Sequence, residues 1–417
     1  MNRRTFLKIV GMGSISFAAG CSPDPYNTPR PDKTLFSLVA APDDMVIGEP
    51  DWYASTCREC PAGCGVLAKN REGRVIKVEG NPLHPINRGK LCMRGQAALQ
   101  GEYNPDRIKT PMVKDGNSWR PITYPEAEKL LQQKTEKAAG AGKGRIRMAT
   151  EVVGETLLKL FSESLGQWGS KGLLVFEPFA YESLKAANDI VFGVKGLPSY
   201  HLDEADVLIA FGADFLETWL SPVEYARKFK AMHALRDGGK GRFFHIGSYQ
   251  SLTCANADTW LACRPGSEAA FALGLMNEAL HLGRHAGLPR TLRHELENAA
   301  APFSKEKVAQ MTGISVYQFE KVAQTLTRSE KPLILGTGIA TRPNTLQTDI
   351  TVNYLNLILD PDLRLFDFES RHRVEIAGSR SEAVQFFNAL EDDAVDLLLL
   401  NNVNPVYAMP PGSEVRR

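Results

Sequence analysis

The chain has 417 residues, 43% of them hydrophobic, with 49 Lys and Arg against 48 Asp and Glu and a formal net charge of +1. That length accommodates two or three domains with a large core. The balanced charge offers no basic excess for nucleic acid, and beyond the N-terminus no apolar run is long enough to span a bilayer.

The chain begins MNRRTFLKIVGMGSISFAAGC, where Arg3 and Arg4 precede a short, weakly apolar run and then small residues. This is the outline of a twin-arginine export signal, and it is set aside from the fold. Ala18-Ala19-Gly20-Cys21 resembles a lipoprotein cleavage box, with Cys21 as the expected lipidated N-terminus. Ordinary cleavage nearby is the alternative. Several acyl chains on Cys21 would hold the protein stably on a bilayer, so the expected location is the periplasmic, extracytoplasmic face of the cytoplasmic membrane. Residues 22–50 are rich in Pro and Asp and read as a tether.

Residues 57–64 read CRECPAGC, and Cys92 stands apart downstream. Four soft thiolates suit either tetrahedral zinc or an iron–sulfur cluster. Zinc ribbons favour two matched CxxC pairs. Three ligands on one loop and a distant fourth suit a cubane better. Pro61 stiffens the loop, and Gly63 lets the backbone come close. Disulfides are a third reading, because export leads to an oxidising compartment. Against them, twin-arginine substrates fold before export, when their thiols can still take up metal. Val66–Lys69 and Arg74–Val78 alternate apolar and polar residues around Asn70–Gly73. That pattern predicts a hairpin that returns Cys92 to the other three.

The segments CRECPAGCGV, RVIKVEGNPLHPINRGKLCMRG, YNPDRIKTPMV and WRPITYPEAEKLL, in this order, resemble the N-terminal 4Fe-4S domain of the molybdopterin (Mo/W-bis-MGD) oxidoreductases. Formate dehydrogenases, periplasmic nitrate reductases and polysulfide or tetrathionate reductases belong to that family. The downstream flavour is nearest the molybdopterin-like subunits of menaquinone reductase and alternative complex III. The resemblance implies that Cys57, Cys60, Cys64 and Cys92 hold one 4Fe-4S cluster. It also gives Arg94 the place of the cation between cluster and pterin.

Further along, short apolar runs alternate with helical patterns: strands in 145–152, GLLVFEPF, 205–214, RFFHIGS, 331–340 and 395–407, with helices in 154–169, ESLKAANDIVFG, 222–236 and 268–330. The expected fold is α/β: a small β-rich 4Fe-4S lobe over 51–112, then doubly wound, mostly parallel α/β domains over 113–330 and 331–417. The family's C-terminal β-barrel domain is missing from this expectation. ADVLIAFGADFLETWLSPVEYARKF and TCANADTWLACRPGSEAAFALGLMNEAL resemble the family's dinucleotide-binding segments.

Departures from the family pattern are specific. No Cys precedes the 205–214 strand at the place of the metal ligand; Ser183 matches it loosely, and Glu177 lies nearby. Ile246-Gly247-Ser248 replaces an Asp-Pro-Arg, Glu268 replaces an Asp, and Gly336-Thr337-Gly338 is a lone GxG. Cys254 and Cys263 read as buried thiols, with a disulfide between them as the alternative. His201, His245 and His372 read as structural or surface residues, and Arg371-His372-Arg373 as a solvated turn.

The expected function is electron transfer through one 4Fe-4S cluster, as the molybdopterin-oxidoreductase-like subunit of an exported, membrane-associated, quinone-linked respiratory complex. Its partners would be Fe–S, cytochrome or quinone-interacting membrane subunits. A catalytic Mo/W-bis-MGD oxidoreductase acting on a small inorganic or one-carbon substrate is the alternative. A non-redox scaffold held by zinc or disulfides is the third.

Overall fold

The computed structural model describes residues 46, 48–235, 239–284, 287–338, 344–390 and 394–409. Arg3, Arg4 and Cys21 of the expected signal, and nearly all of the expected tether, lie outside the described residues. The chain divides into two units. The first joins the described residues up to Asp51 with Asn70–Ile76. Within it the Gly48 amide donates to Glu72 Oε1 (3.2 Å), and Glu72 and Gly73 both take positive φ (53° and 79°). That left-handed pair is what a tight two-residue hairpin turn requires.

The second unit holds Trp52–Lys69 and everything from Lys77 onward. Strands β1 (Asp51–Thr56), β2 (Gly65–Arg71) and β3 (Arg74–Gly80), of which Asp51, Asn70, Arg71 and Arg74–Ile76 are counted in the first unit, make a three-stranded sheet in that order, and α1 (Met93–Glu102) follows. A small antiparallel hairpin, β4 (Met112–Asp115) and β5 (Ser118–Pro121), leads to α2 (Tyr124–Ala141), which starts at a capping box between Thr123 and Glu126.

Then come β6 (Ile146–Thr150), α3 (Glu155–Gln167), β7 (Gly172–Val175), α4 (Glu182–Phe192) and the two-residue β8 (Ser199–Tyr200). β9 (Val207–Phe211), α5 (Pro222–His233), β10 (Arg242–Gly247), α6 (Leu252–Ala255) and β11 (Thr259–Ala262) follow. Helices α7 (Glu268–His281), α8 (Arg290–Ala300), α9 (Lys305–Thr312) and α10 (Val316–Arg328) lead into β12 (Pro332–Leu335) and α11 (Thr345–Leu359). β13 (Phe366–Asp367), α12 (Arg380–Asn388), β14 (Leu397–Asn401) and α13 (Pro405–Ala408) complete the order.

The expected parallel α/β architecture is present as two sheets: β11-β10-β9-β12 and β14-β6-β7, every neighbour pair parallel. Each sheet takes strands from both sides of residue 330: β12 pairs with β9, and β14 with β6. Parallel neighbours need long crossovers, so closeness in sequence does not report sheet partnership.

All five residues of β9 are buried, as in a parallel sheet covered on both faces. Val207, Ile209 and Phe211 face a core with Phe271, Phe319 and Leu355 from α7, α10 and α11. Leu208 and Ala210 face the opposite core, with Trp219, Tyr225 and Phe229.

Two expectations change. Of Arg371-His372-Arg373 only Arg371 is exposed as a solvated turn would have it: His372 Nε2 hydrogen-bonds Tyr225 Oη (2.6 Å), its amide donates to Leu197 O (2.8 Å), and Arg373 Nε donates to Val153 O (3.2 Å). The fully buried Tyr225 needs a partner for its hydroxyl, and the loop supplies one. Burial pushes His372 down to about 4, so it stays neutral. The strands expected over 331–340 and 395–407 shorten to β12 and β14, and the second ends in α13, opened by Pro405. Cys254 and Cys263 are buried free thiols.

β12 lies at a sheet edge, where its backbone groups on the side away from β9 lack a strand partner. Asn356 supplies one from α11: Ile334 N donates to its Oδ1 (2.9 Å), and its Nδ2 donates to Ile334 O (2.8 Å). Asn356→Leu leaves both groups buried and unpaired, and should cost roughly 2–4 kcal/mol in stability. Chemical denaturation checks this, and an unchanged midpoint would refute it.

Candidate iron–sulfur site and adjoining cleft

Cys57, Cys60 and Cys64 lie on the loop between β1 and β2, and Cys92 is the N-cap of α1. The Cys57 amide donates to Cys64 O (2.8 Å), closing the loop, and Gly63 turns it with φ 62°. Asn87, fully buried, then pins the loop to the approach to Cys92. Its Oδ1 accepts from Gly65 N (3.0 Å), and its Nδ2 donates to Gly65 O (2.8 Å) and Lys90 O (2.7 Å). A Cβ on Gly65 would stand 2.5 Å from the His84 ring, so only glycine fits. Sequence reading missed Asn87; its signal was an amide among the turn residues of NPLHPINRGK.

Burial pushes the Cys64 thiol up to about 12, and Cys60, Cys57 and Cys92 add to the rise. Burial also raises Cys57, with Cys60 and Cys92 contributing. Cys60 and Cys92 thus lie within electrostatic reach of Cys57 and Cys64, and a metal centre supplying positive charge would favour the thiolates of those two. All four are free thiols. No group of three or more His, Cys, Asp or Glu among the described residues is arranged to hold a metal ion. A lone zinc draws its four sulfurs tightly in at Zn–S of about 2.3 Å. Four cysteine thiols are the soft donor set that a 4Fe-4S cluster takes.

A cleft of about 720 Å³ adjoins this loop, lined by Cys57, Cys60, Arg94, Glu151, Tyr181 and Arg373 among others. Arg94 follows Cys92 on α1 and reaches Glu217 O (3.4 Å) in the segment after β9. It therefore stands where cysteine loop and cleft meet. Arg58, beside Cys57, forms an ion pair with Glu151 at the end of β6. The Tyr181 hydroxyl donates to Thr218 O (3.0 Å) and accepts from Leu220 N (2.9 Å). Tyr181 and Leu220 both hold left-handed backbones (φ 51° and 50°), costly conformations that surrounding contacts must enforce.

A second cavity, about 450 Å³, shares the Phe176–Phe179 wall and includes Ser183. The Ser183 hydroxyl does not face a ligand: it donates to Asp349 Oδ2 (2.6 Å). Asp349, fully buried, also accepts from Thr337 N (2.7 Å) and Thr337 Oγ1 (2.9 Å). At the C-terminal ends of β9, β10 and β12, where strand order reverses, only about 30 Å³ is free beside Gly212, Gly247, Ser248, Glu268 and Gly338. A Cβ on Gly338 would come within 2.2 Å of Gly212 O, so these two loops are packed backbone to backbone. His245 is buried in β10 and is pushed down to about 4 by that burial, a neutral structural residue.

Burial pushes the Asp349 carboxyl from 3.8 up to about 6, against the pull of Ser183 and Thr337. The folded state therefore binds this proton more tightly than the unfolded chain. Asp349 weakens the fold above about pH 6, and the penalty fades as the pH falls toward 3.8. Asp349→Asn removes the titration. The stability of wild type relative to the variant should therefore rise as the pH falls through that window. Denaturation midpoints measured across it check this, and a constant difference would refute it.

The Molybdopterin oxidoreductase Fe4S4 domain matches residues 50–104, and the Molybdopterin oxidoreductase domain matches residues 107–360. The chain is 29% identical to the menaquinone reductase, molybdopterin-binding-like subunit of Nitratidesulfovibrio vulgaris, over 99% of this chain and 60% of that protein. It is 25% identical to a nitrate reductase of Symbiobacterium thermophilum, over 80% of this chain and 44% of that protein. With a sulfite dehydrogenase subunit of Allochromatium vinosum it shares 25% identity over 58% of this chain and 25% of that protein. The chain thus spans less than two thirds of the length of each of these relatives. Acetylene hydratase from Pelobacter acetylenicus shares the fold, with a TM-score of 0.59 at 18% identity over 73% of this chain and 43% of that one. Cysteine quartet, parallel sheets and both domain matches agree: the chain belongs to the molybdopterin oxidoreductase family, with a 4Fe-4S domain followed by the molybdopterin-type α/β domain.

Proposed function

We propose that this protein is an electron-transfer subunit of an exported, membrane-associated, quinone-linked respiratory complex. The 4Fe-4S cluster, when bound, supplies one-electron redox chemistry. The observation that carries the reading is the pairing of a complete cysteine site with a committed Ser183. The thiols of Cys60 and Cys92 lie within electrostatic reach of those of Cys57 and Cys64. The one hydroxyl at the place of the family's metal ligand is bonded to Asp349 instead. The relative named as a menaquinone reductase subunit, matched along nearly the whole chain, supports the quinone-linked setting. Export and lipid attachment rest on Arg3, Arg4 and Cys21. Fe–S, cytochrome or quinone-interacting membrane subunits are the partners this reading assigns. Among the described residues no helix is long and apolar enough to cross a membrane, so within them attachment has no transmembrane helix to use.

The chain's own residues have definite parts in this reading. Asn87 fixes the cysteine loop, and Arg94 places a cation beside Cys92 at the edge of the cleft. Arg58 and Glu151 hold the loop against the end of β6. The 720 Å³ cleft favours one second reading, a catalytic Mo/W-bis-MGD oxidoreductase acting on a small inorganic or one-carbon substrate.

Both readings meet one test, EPR of the dithionite-reduced protein with metal analysis of the same sample. The first predicts a cubane signal with about four irons per chain and no stoichiometric molybdenum or tungsten. Cys92→Ser should abolish or alter that signal. Stoichiometric molybdenum or tungsten with pterin would establish the second reading, and one zinc without iron would overturn both.

A further inference from the structure

Glu177 has no part in the reading above, and its placement is specific. It lines both the 720 Å³ cleft and the 450 Å³ cavity, so it stands on their common wall. It is half-buried between Phe176 and Pro178, and among the described residues it makes no ion pair. Among the described residues, its Oε1 accepts from its own loop's Phe179 amide (3.1 Å) and from no other donor. The other cleft carboxylates are placed differently: Glu151 is paired with Arg58, and Glu59 is exposed. Tyr181, on the same loop, lies within electrostatic reach of both Glu177 and Cys60. An unpaired, partly desolvated carboxylate beside a redox site is a candidate for coupled chemistry.

We propose that Glu177 takes up a proton when the cysteine site takes up an electron. One electron arrives from a low-potential one-electron carrier, and one proton moves from solvent onto a Glu177 carboxylate oxygen. No bond breaks beyond that proton's link to water. The added negative charge in the cleft is thereby neutralised. This rests on the proposed redox role of the four cysteines.

The physical basis is the cost of a second negative charge in a poorly solvated wall. Burial already pushes the Glu177 carboxyl above its ordinary 4.5, against the Phe179 amide. Four cations face the two cavities: Arg58 from the cysteine loop, Arg94 from α1, Arg373 before Val374, and Arg380 from α12. Arg58 is held by Glu151, and Arg94 and Arg373 donate to the backbone at Glu217 and Val153. The facing acids and phenols are Glu59, Glu151, Glu182, Tyr181 and Tyr407. Tyr181 is pushed up to about 12 by burial and does not titrate in the same range.

The test is an EPR-monitored redox titration of the reconstituted full-length protein at several pH values. The wild-type midpoint potential should fall as the pH rises through a window beginning above 4.5. Glu177→Gln mimics the protonated side chain. It should hold the low-pH potential at every pH, while Glu177→Asp keeps a pH-dependent potential. In the wild type itself, reduction should produce a protonated-carboxyl band in the infrared difference spectrum. That measurement stands even if the glutamine variant fails to assemble a cluster. A cluster signal with no such band, or a pH dependence that survives in Glu177→Gln, overturns the proposal and leaves the redox role standing. Absence of any cluster signal in the wild type overturns the redox role itself. Loss of bound molybdenum or tungsten in Glu177→Gln, with an unchanged pH profile, would make Glu177 a metal ligand and also overturn the proposal.

Discussion

Three cysteines on one loop and a fourth at the start of α1 must be held together, and the N-terminal lobe is arranged around that constraint. Burial raises the Cys64 thiol to about 12, and its three neighbouring thiols add to the rise. The protein must therefore hold the thiols close in a state they electrostatically oppose. Asn87 does much of that work by tying the end of the cysteine loop to the strand-free approach to Cys92. Gly65 leaves room for the His84 ring against the same loop. Neither residue is a ligand, yet the spacing of the ligands depends on both.

The α/β domain meets this lobe through a small number of polar ties. Arg94 reaches the segment after β9, and Arg58 reaches the end of β6. β6 belongs to the three-stranded sheet and β9 to the four-stranded one. One loop-and-helix unit thus engages both sheets at the C-terminal ends of their strands, where parallel sheets place their crevices. The cleft follows from this geometry: it is the space left between the two sheets' strand ends and the cysteine loop.

Much of this was legible in the sequence. The hairpin turn at Glu72-Gly73 and the unbroken apolar run of β9 are local signals, and each matched its element. What sequence did not show depends on distant partners. β14 reads as another strand of a second lobe, but its partner β6 lies on the far side of the four-stranded sheet's sequence. Arg371-His372-Arg373 carries the composition of a surface turn. His372 within it is drawn inward because Tyr225, far earlier in the chain, buries a hydroxyl that needs a partner. Ser183 looks like a loose match to a metal ligand until Asp349, on α11, is seen to hold it. In each case a buried polar group elsewhere decided the outcome, and single-sequence periodicity carries no such information.

The same principle separates the two ways this cleft can be used. A pocket that performs chemistry on a substrate leaves donors and acceptors aimed into the open space, to be satisfied by what binds. Here several polar side chains along the walls are already satisfied by the protein: Arg58 by Glu151, Arg373 by Val153 O, and the Tyr181 hydroxyl by Thr218 and Leu220. Internal satisfaction fixes the walls and leaves their dipoles little freedom to reorganise when charge arrives nearby. The left-handed backbones of Tyr181 and Leu220 fit the same pattern. A tyrosine hydroxyl bonded across to the second of two strained residues locks both loops into one conformation, and the strain is met by the frame rather than released by a ligand.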